Sequence, residues 1–129
     1  MNLVDIVAMV AILQYLAFGS LVGKARGQYG VKAPAVSGNE QFERVYRVQM
    51  NTLELLVAFL PALYAAAKYW PDWAVAGLGA VYVVGRVIYW RAYVTIPANR
   101  GLGFVLSIGP VMALALAVLV PAVLGKSVA

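Results

Sequence analysis

Residues 42–69, FERVYRVQMNTLELLVAFLPALYAAAKY, decide the fold of this chain because they join a polar helical segment directly to a membrane-like one. The second half, residues 55–69, is apolar enough to lie in lipid, where a helix needs about 20 predominantly apolar residues to cross. The first half, residues 42–54, carries two acids, two arginines, a glutamine and an asparagine. Such a density of polar groups at the edge of a bilayer, or inside it, requires a physical explanation.

The composition of the whole chain indicates that lipid is its main solvent. Of its 129 residues, 64% are hydrophobic and only 12% are charged, and the length suits one domain. The chain contains no cysteine and no histidine. Disulfides, thiolate metal sites and a cysteine nucleophile are therefore excluded, and so are the commonest general base and the commonest metal ligand. We expect no metal site, so any chemistry falls to Arg, Tyr, Glu, Asp, Lys, amide and hydroxyl groups.

Four segments are long and apolar enough to cross a membrane, so the sequence predicts an all-α integral membrane protein built as a four-transmembrane-helix bundle in a single domain, residues 1–129. Residues 23–41 contain Gly, Pro, Ser and several bases and read as an exposed loop, whereas WPDW at 70–73 reads as a tight turn. Pro97 is expected to break the third helix before Arg100. The predicted spans are residues 3–23, 42–69, 73–95 and 103–125.

Basic residues are concentrated around the first and third connections, which sets the expected orientation. The positive-inside rule places both of these connections in the cytoplasm and both termini outside. The formal net charge of +5 then reflects topology and contact with anionic membrane lipids. We expect no nucleic-acid partner, because no soluble basic domain is present to bind one.

Two helices carry polar stripes that share the expected cytoplasmic half. On the second span, Glu43, Arg47, Asn51 and Glu54 follow spacings of four, four and three, which places them on one helix face. The third span repeats the pattern with arginine and tyrosine, and the members of this second stripe are Arg86, Tyr89, Tyr93 and, after the proline, Arg100.

Charged groups at these depths need a compensating partner, because each costs about 2.5–3.5 kcal/mol near the centre of a membrane helix. One interpretation is a structural network of ion pairs, with Arg47 or Arg86 against Glu54 and Glu43 against Arg47. The alternative is a polar ligand site. The excess of arginine favours an anionic ligand with carboxylates, and Glu54 offers a place for an ammonium group.

The second-span motif Glu-Arg-x-x-Arg-x-Gln-x-Asn-x-x-Glu, at residues 43–54, resembles the MAPEG family, the membrane-associated proteins in eicosanoid and glutathione metabolism. The third-span spacing Arg-x-x-Tyr-x-x-x-Tyr, at residues 86–93, and the arginine at position 100 strengthen the likeness, which covers nearly the whole chain. It is greatest for the branch of microsomal glutathione transferases and leukotriene-forming synthases. The resemblance implies a homotrimer with glutathione bound between neighbouring subunits.

The resemblance also implies roles for individual residues. Arg100 matches the arginine thought to stabilise the glutathione thiolate, and Tyr93 is expected beside it in catalysis. Two departures stand out: Leu55 replaces a tyrosine found in close relatives, and Gly27 replaces a second arginine that often follows the one in the first helix. The residues implied to bind glutathione are Arg26, Arg47, Gln49, Asn51, Glu54, Arg86, Tyr89 and Tyr93.

The resulting functional hypothesis is a membrane-bound glutathione transferase or peroxidase that attacks a lipophilic electrophile or lipid hydroperoxide, in a bacterial inner membrane. A second hypothesis is a non-catalytic protein of the same fold that binds lipid or glutathione. A third, a small multidrug transporter, would need a membrane carboxylate deep in the first helix, where this chain has only Gln14.

Overall fold

The computed structural model describes residues 1–126, and within that range the chain forms four α-helices. They are α1 (Leu3–Tyr29), α2 (Glu40–Ala66), α3 (Asp72–Thr95) and α4 (Gly101–Val123), with a short 3-10 helix at Pro97–Asn99. All four regions are long and apolar enough to cross a membrane. The prediction of an all-helical chain with four apolar spans is therefore confirmed.

Helix α1 continues further than the sequence analysis predicted. The composition predicts an exposed loop for residues 23–29, but they are helical, and α1 ends at Tyr29, where its cap residue Gly30 adopts the left-handed conformation with φ of 70°. An isolated glycine costs a helix only about 1 kcal/mol relative to alanine, so Gly23 and Gly27 do not end it. The loop prediction is wrong for these residues, and α1 carries Lys24 and Arg26 on its last turns.

The other helix boundaries follow from capping and turn residues. Helix α2 begins after Asn39, whose side chain accepts a hydrogen bond from the backbone nitrogen of Phe42 at 3.0 Å. Pro71 precedes α3, and the residue before Pro97, Ile96, is extended and ends that helix. The turn predicted at 70–73 lies slightly earlier, at residues 67–71, because Asp72 and Trp73 already begin α3. The predicted break before Arg100 is confirmed.

Helices α2 and α3 form the central pair of the bundle. Each contacts the other three helices, while α1 and α4 pack against this pair and have few contacts with each other. Consecutive helices run antiparallel, because the start of α1 meets the end of α2 where Tyr64 bonds Asp5, and the start of α2 meets the end of α3 where Arg44 bonds Thr95. We call the end that contains residues 30–39 and 96–100 the basic end, and the other the opposite end.

The main apolar core fills the bundle from its middle to the opposite end. Its centre is the stacked pair Phe59 and Tyr82, whose ring centroids lie 3.9 Å apart with an interplanar angle of 11°. Both rings are fully buried, and Leu63 and Ala66 continue the packing toward the turn between α2 and α3. Two smaller apolar clusters lie at the basic end, around Phe42 and around Tyr89.

Candidate functional site

A polar cleft of about 310 Å³ opens at the basic end between α2 and α3. Helix α2 supplies one wall, α3 supplies the other, and the residue that leads into α4 closes the rim. Six of the nine residues singled out by the sequence analysis meet here, together with one methionine. The lining residues are Arg47, Met50, Asn51, Glu54, Tyr89, Tyr93 and Arg100.

The α2 wall is formed by helical spacing, as predicted. Arg47, Asn51 and Glu54 recur every three or four residues on one face. The Oδ1 atom of Asn51 is buried and has no hydrogen-bond partner among residues 1–126. An unpartnered buried acceptor of this kind is stabilised when a ligand or water supplies the missing donor.

Two stacked tyrosines form the α3 wall. The rings of Tyr89 and Tyr93 lie 5.5 Å apart with an interplanar angle of 26°, and Tyr89 also contacts Phe104 of α4 at 6.4 Å between centroids. Helix α4 can approach this closely because position 103 is glycine: a Cβ there would lie 2.5 Å from the Cα of Tyr89. The crossing of α3 and α4 therefore fixes Tyr89 in the wall.

Arg100 reaches the rim of the cleft because the chain reverses direction just before it. The 3-10 helix Pro97–Asn99 links α3 to α4, and the Nη1 atom of Arg100 donates to the carbonyl oxygen of Pro97 at 3.2 Å. The Cζ atom of Arg100 lies 6.0 Å from the centroid of the Tyr93 ring. Arg100 is exposed, so its guanidinium is free to approach a ligand in the cleft.

The charged groups of the cleft do not pair with one another. Arg47 and Glu54 stand two helical turns apart on the same helix, about 10 Å along the axis. In the part of the chain that the structure describes, the only salt bridge joins Arg44 to Glu40 at 2.7 Å, while Glu43 accepts from the backbone nitrogen of Gly38. The interpretation of the stripes as a network of ion pairs is therefore wrong for these residues.

Arg86 does not line the cleft, although the sequence analysis placed it on the same stripe as Tyr89 and Tyr93. Its side chain is fully buried between α2 and α3, where the Nη2 atom donates to the hydroxyl of Thr52 at 3.0 Å. The Cζ atom of Arg86 lies 4.3 Å from the centroid of the ring of Tyr89, which does line the cleft.

Arg26 and Gln49 also lie outside the cleft. Arg26 donates to the carbonyl oxygen of Ala35 at 2.7 Å and lies over the ring of Phe42, so it ties the end of α1 to the first connection. Gln49 lies on the side of α2 that faces α1, with its Nε2 atom against Gly19.

Met50 and Thr52 belong to this region but were not singled out from the sequence. Met50 lines the cleft and Thr52 holds Arg86. Thr52 could have been predicted from the sequence, because it follows Asn51 directly and a hydroxyl in an apolar helix is expected to form a hydrogen bond. Met50 could not, because methionine is a common residue in membrane helices.

The arrangement suits a small polar ligand that carries both signs of charge. Two guanidinium groups, at Arg47 and Arg100, face one carboxylate, at Glu54, and the tyrosine hydroxyls and an amide add hydrogen-bonding capacity. Arginine binds carboxylates with two parallel hydrogen bonds, while a free carboxylate binds an ammonium group. Among residues 1–126, no group of three or more acidic side chains could hold a metal ion.

Comparison with known sequences shows which proteins this chain is similar to. The sequence pattern of the MAPEG family matches residues 4–120. An uncharacterized protein of Synechocystis is 46% identical over 101 residues, which cover 78% of this chain and 74% of that protein.

Two named relatives are similar over most of the chain. Microsomal glutathione S-transferase 2 of Homo sapiens is 39% identical over 103 residues, covering 80% of this chain and 70% of the human protein. Leukotriene C4 synthase of Cavia porcellus is 36% identical over 87 residues, which are 67% of this chain and 58% of that synthase.

Proposed function

The chain belongs to the MAPEG family and is a multi-pass membrane protein, and on that premise we propose that it is a glutathione S-transferase, with a peroxidase reaction open to the same site. One observation carries the proposal. Six residues that the family resemblance assigns to glutathione or its thiolate, drawn from α2, α3 and the start of α4, line a single cleft whose charges form no salt bridge within residues 1–126.

The charges of glutathione match those of the cleft. The tripeptide has two carboxylates and one ammonium group, and the cleft offers the guanidinium groups of Arg47 and Arg100 together with the carboxylate of Glu54. Asn51, whose Oδ1 atom lacks a partner among the described residues, would accept from a peptide nitrogen.

Arg100 is the residue we propose to activate the thiol. A nearby guanidinium lowers a thiol pKa from roughly 8.5 toward neutrality because it stabilises the thiolate, which is the nucleophile. Arginine stays protonated, so the thiol proton leaves to water. Tyr93, whose ring lies beneath the Arg100 guanidinium, would orient that group and donate its hydroxyl proton in a hydrogen bond to the sulfur.

The bond changes follow from a thiolate at this position. Attack on an electrophilic carbon forms a carbon–sulfur bond and expels the leaving group with its electron pair. Attack on a lipid hydroperoxide forms a sulfur–oxygen bond and breaks the oxygen–oxygen bond, which gives the sulfenic acid of glutathione and, after protonation, the lipid alcohol. The thiol of a second glutathione then attacks the sulfenic sulfur, forming the disulfide and releasing water. In both reactions the membrane delivers the lipophilic substrate, and water outside the bilayer delivers glutathione.

We propose that the functional unit is a homotrimer in which Arg26 and Gln49 reach the cleft of a neighbouring copy. Both residues lie away from the cleft of their own subunit, and Gln49 stands about 200° around α2 from Arg47. The excess of bases at the basic end also supports a cytoplasmic cleft and insertion in a bacterial inner membrane.

Mixing two inactive variants tests this assembly. Subunits carrying Arg26→Ala keep an intact cleft, and subunits carrying Arg100→Ala keep Arg26. If neighbouring copies complete each site, co-expression restores some turnover, because one kind of contact then combines the intact Arg26 with the intact cleft. Activity that stays at the level of the separate variants would contradict a shared site.

Turnover itself is tested on the purified wild-type protein in detergent. We expect the ultraviolet absorbance of a thiolate on addition of glutathione at neutral pH, and conjugation of a generic aromatic electrophile or reduction of a lipid hydroperoxide. Binding of glutathione without thiolate or turnover would instead assign the non-catalytic binding function. No binding at all would overturn both.

A further inference from the structure

A hydrogen-bonded chain of three groups crosses from α2 to α3 next to residues that line the cleft. The hydroxyl of Thr52 donates to the carbonyl oxygen of Val48 at 2.7 Å, which leaves its lone pairs to accept from Arg86 at 3.0 Å. Thr52 and Arg86 are both fully buried. The hydroxyl therefore has a defined direction, and it fixes one side of the guanidinium.

The two partners stand next to residues of the two walls. Thr52 immediately follows Asn51, and Arg86 lies one helical turn before Tyr89. The Cζ atom of Arg86 is 4.3 Å from the centroid of the Tyr89 ring, within the range of a cation–π interaction. The bond between Thr52 and Arg86 consequently sets both the separation of the walls and the support under Tyr89.

Joining α2 to α3 through a buried arginine costs more free energy than apolar packing would. The Nε and Nη1 atoms of Arg86 are buried and have no hydrogen-bond partner among residues 1–126, and no carboxylate of that range pairs with the group. Unmet donors and an unpaired charge are costly in a membrane interior, and a well-packed apolar pair would join the helices at lower cost. The charge itself therefore requires an explanation.

We propose that Arg86 is a positioning residue of the glutathione site, which braces α2 against α3 through Thr52 and places a positive charge behind Tyr89 that favours a bound thiolate. It does this without touching the peptide. The proposal rests on the proposed glutathione-dependent function, and it replaces the direct contact with glutathione that the family resemblance implies for this residue.

A matched pair of threonine variants tests the brace in the full-length protein. Thr52→Val keeps the shape of the side chain but removes the hydroxyl, whereas Thr52→Ser keeps the hydroxyl. We expect the Kd for glutathione to rise about tenfold in Thr52→Val and to stay within about twofold of wild type in Thr52→Ser, since a hydrogen bond to a charged group is at stake. A Thr52→Val protein that binds glutathione like wild type would overturn the proposal.

Two arginine variants separate the charge from the geometry. Arg86→Lys keeps the charge but loses the planar fork, so we expect weaker binding with a nearly unchanged apparent pKa of the bound thiol. Arg86→Met removes both, and we expect the thiol pKa in a pH titration of the thiolate absorbance to rise by about one unit. Equal thiol pKa values in wild type and both variants would contradict the role of the charge. If Arg86→Met does not fold, the threonine pair and Arg86→Lys decide the question.

Glutathione analogues with one carboxylate converted to an amide distinguish positioning from direct contact. Substitution of a positioning residue lowers the affinity for every analogue by the same factor, so the effect of Arg86→Lys should persist with each. Loss of that effect with one particular amide would show that Arg86 pairs with the carboxylate it replaces, and would overturn the proposal. If wild-type protein binds no glutathione, the proposed function fails first and the contact with Thr52 is structural only.

Discussion

The two ends of the bundle differ in whether their polar and charged side chains have partners within the chain. Near the opposite end, the core is a stack of Phe59 on Tyr82 with aliphatic neighbours, and the acid on the first turn of α1, Asp5, accepts from the hydroxyl of Tyr64 at 2.8 Å. At the basic end, the charges of the cleft have no such partners among the residues that the structure describes. The difference agrees with the proposal that the cleft at the basic end binds a charged ligand, while the opposite end contributes mainly to stability.

Aromatic rings take the place of carboxylates at the basic end. Each of four arginines lies over a ring, at 4.3 to 6.0 Å from its centroid. A ring face stabilises a cation while leaving the hydrogen-bond donors of the guanidinium unused, which a carboxylate would occupy. The pairs are Arg26 with Phe42, Arg86 with Tyr89, Arg91 with Trp90 and Arg100 with Tyr93.

The largest effect on stability is expected where the core is apolar. Phe59→Ala removes a fully buried ring from its stack on Tyr82, and such truncations cost about 3–5 kcal/mol because the cavity only partly closes. Thermal unfolding in detergent measures the loss. Val57→Ala, on the exposed side of the same helix, is the control and should change the Tm little. Comparable losses in the two variants would contradict a core centred on this stack.

The largest effect on activity is expected at the rim of the cleft. Arg100→Ala removes the guanidinium that we propose to stabilise the thiolate, and the loss of one such group typically lowers kcat by about 10²–10³-fold. The exposed Arg100 packs on little else, so the Tm should stay close to that of wild type. Measurement of kcat and of the thiolate absorbance checks this, with Arg91→Ala as the control. An unchanged thiolate would show that another residue activates the thiol.

The sequence predicted which side chains share one face of a helix better than it predicted which of them another helix covers. Spacing alone placed Arg47, Asn51 and Glu54 together, because the helical repeat is fixed by the backbone. The same spacing placed Arg86 with Tyr89, yet Arg86 lies one turn deeper in the bundle, where α2 covers it. Periodicity gives direction around a helix axis but not the depth at which a neighbouring helix closes over a side chain.

Gln49 shows the complementary limit of sequence reasoning. It stands on nearly the opposite side of α2 from the cleft, so helical spacing never grouped it with Arg47, and only the family resemblance did. The contribution of a second subunit cannot be read from one chain's periodicity, since the same face could meet lipid, α1 or a partner. Within the chain, Gln49 meets Gly19 of α1.

A smaller effect, shared between stability and activity, is expected at the crossing of α3 and α4. In Gly103→Ala the new methyl group would meet the backbone of Tyr89, which cannot move aside as a flexible side chain would. Overpacking of this kind costs typically about 1–3 kcal/mol. Because Tyr89 lines the cleft, we also expect a higher KM for glutathione.

Gly109→Ala is the matched control for this substitution. It lies on the same helix, and a Cβ at position 109 has no neighbouring atom within 4 Å. Since alanine is the better helix former by about 1 kcal/mol, the Tm should stay constant or rise. A Gly103→Ala protein with wild-type Tm and KM would show that the close crossing does not position Tyr89.

The smallest effect is expected for the polar contact at the opposite end. Tyr64→Phe removes the hydroxyl that donates to Asp5 but keeps the ring, and a net cost of about 0.5–1.5 kcal/mol is usual for one hydrogen bond. The contact is exposed at the end remote from the cleft, so the Kd for glutathione and the thiol pKa should equal those of wild type. A Tyr64→Phe protein with weakened glutathione binding would mean that strain passes along α2 from one end to the other, and that stability and binding are not separated as the two ends suggest.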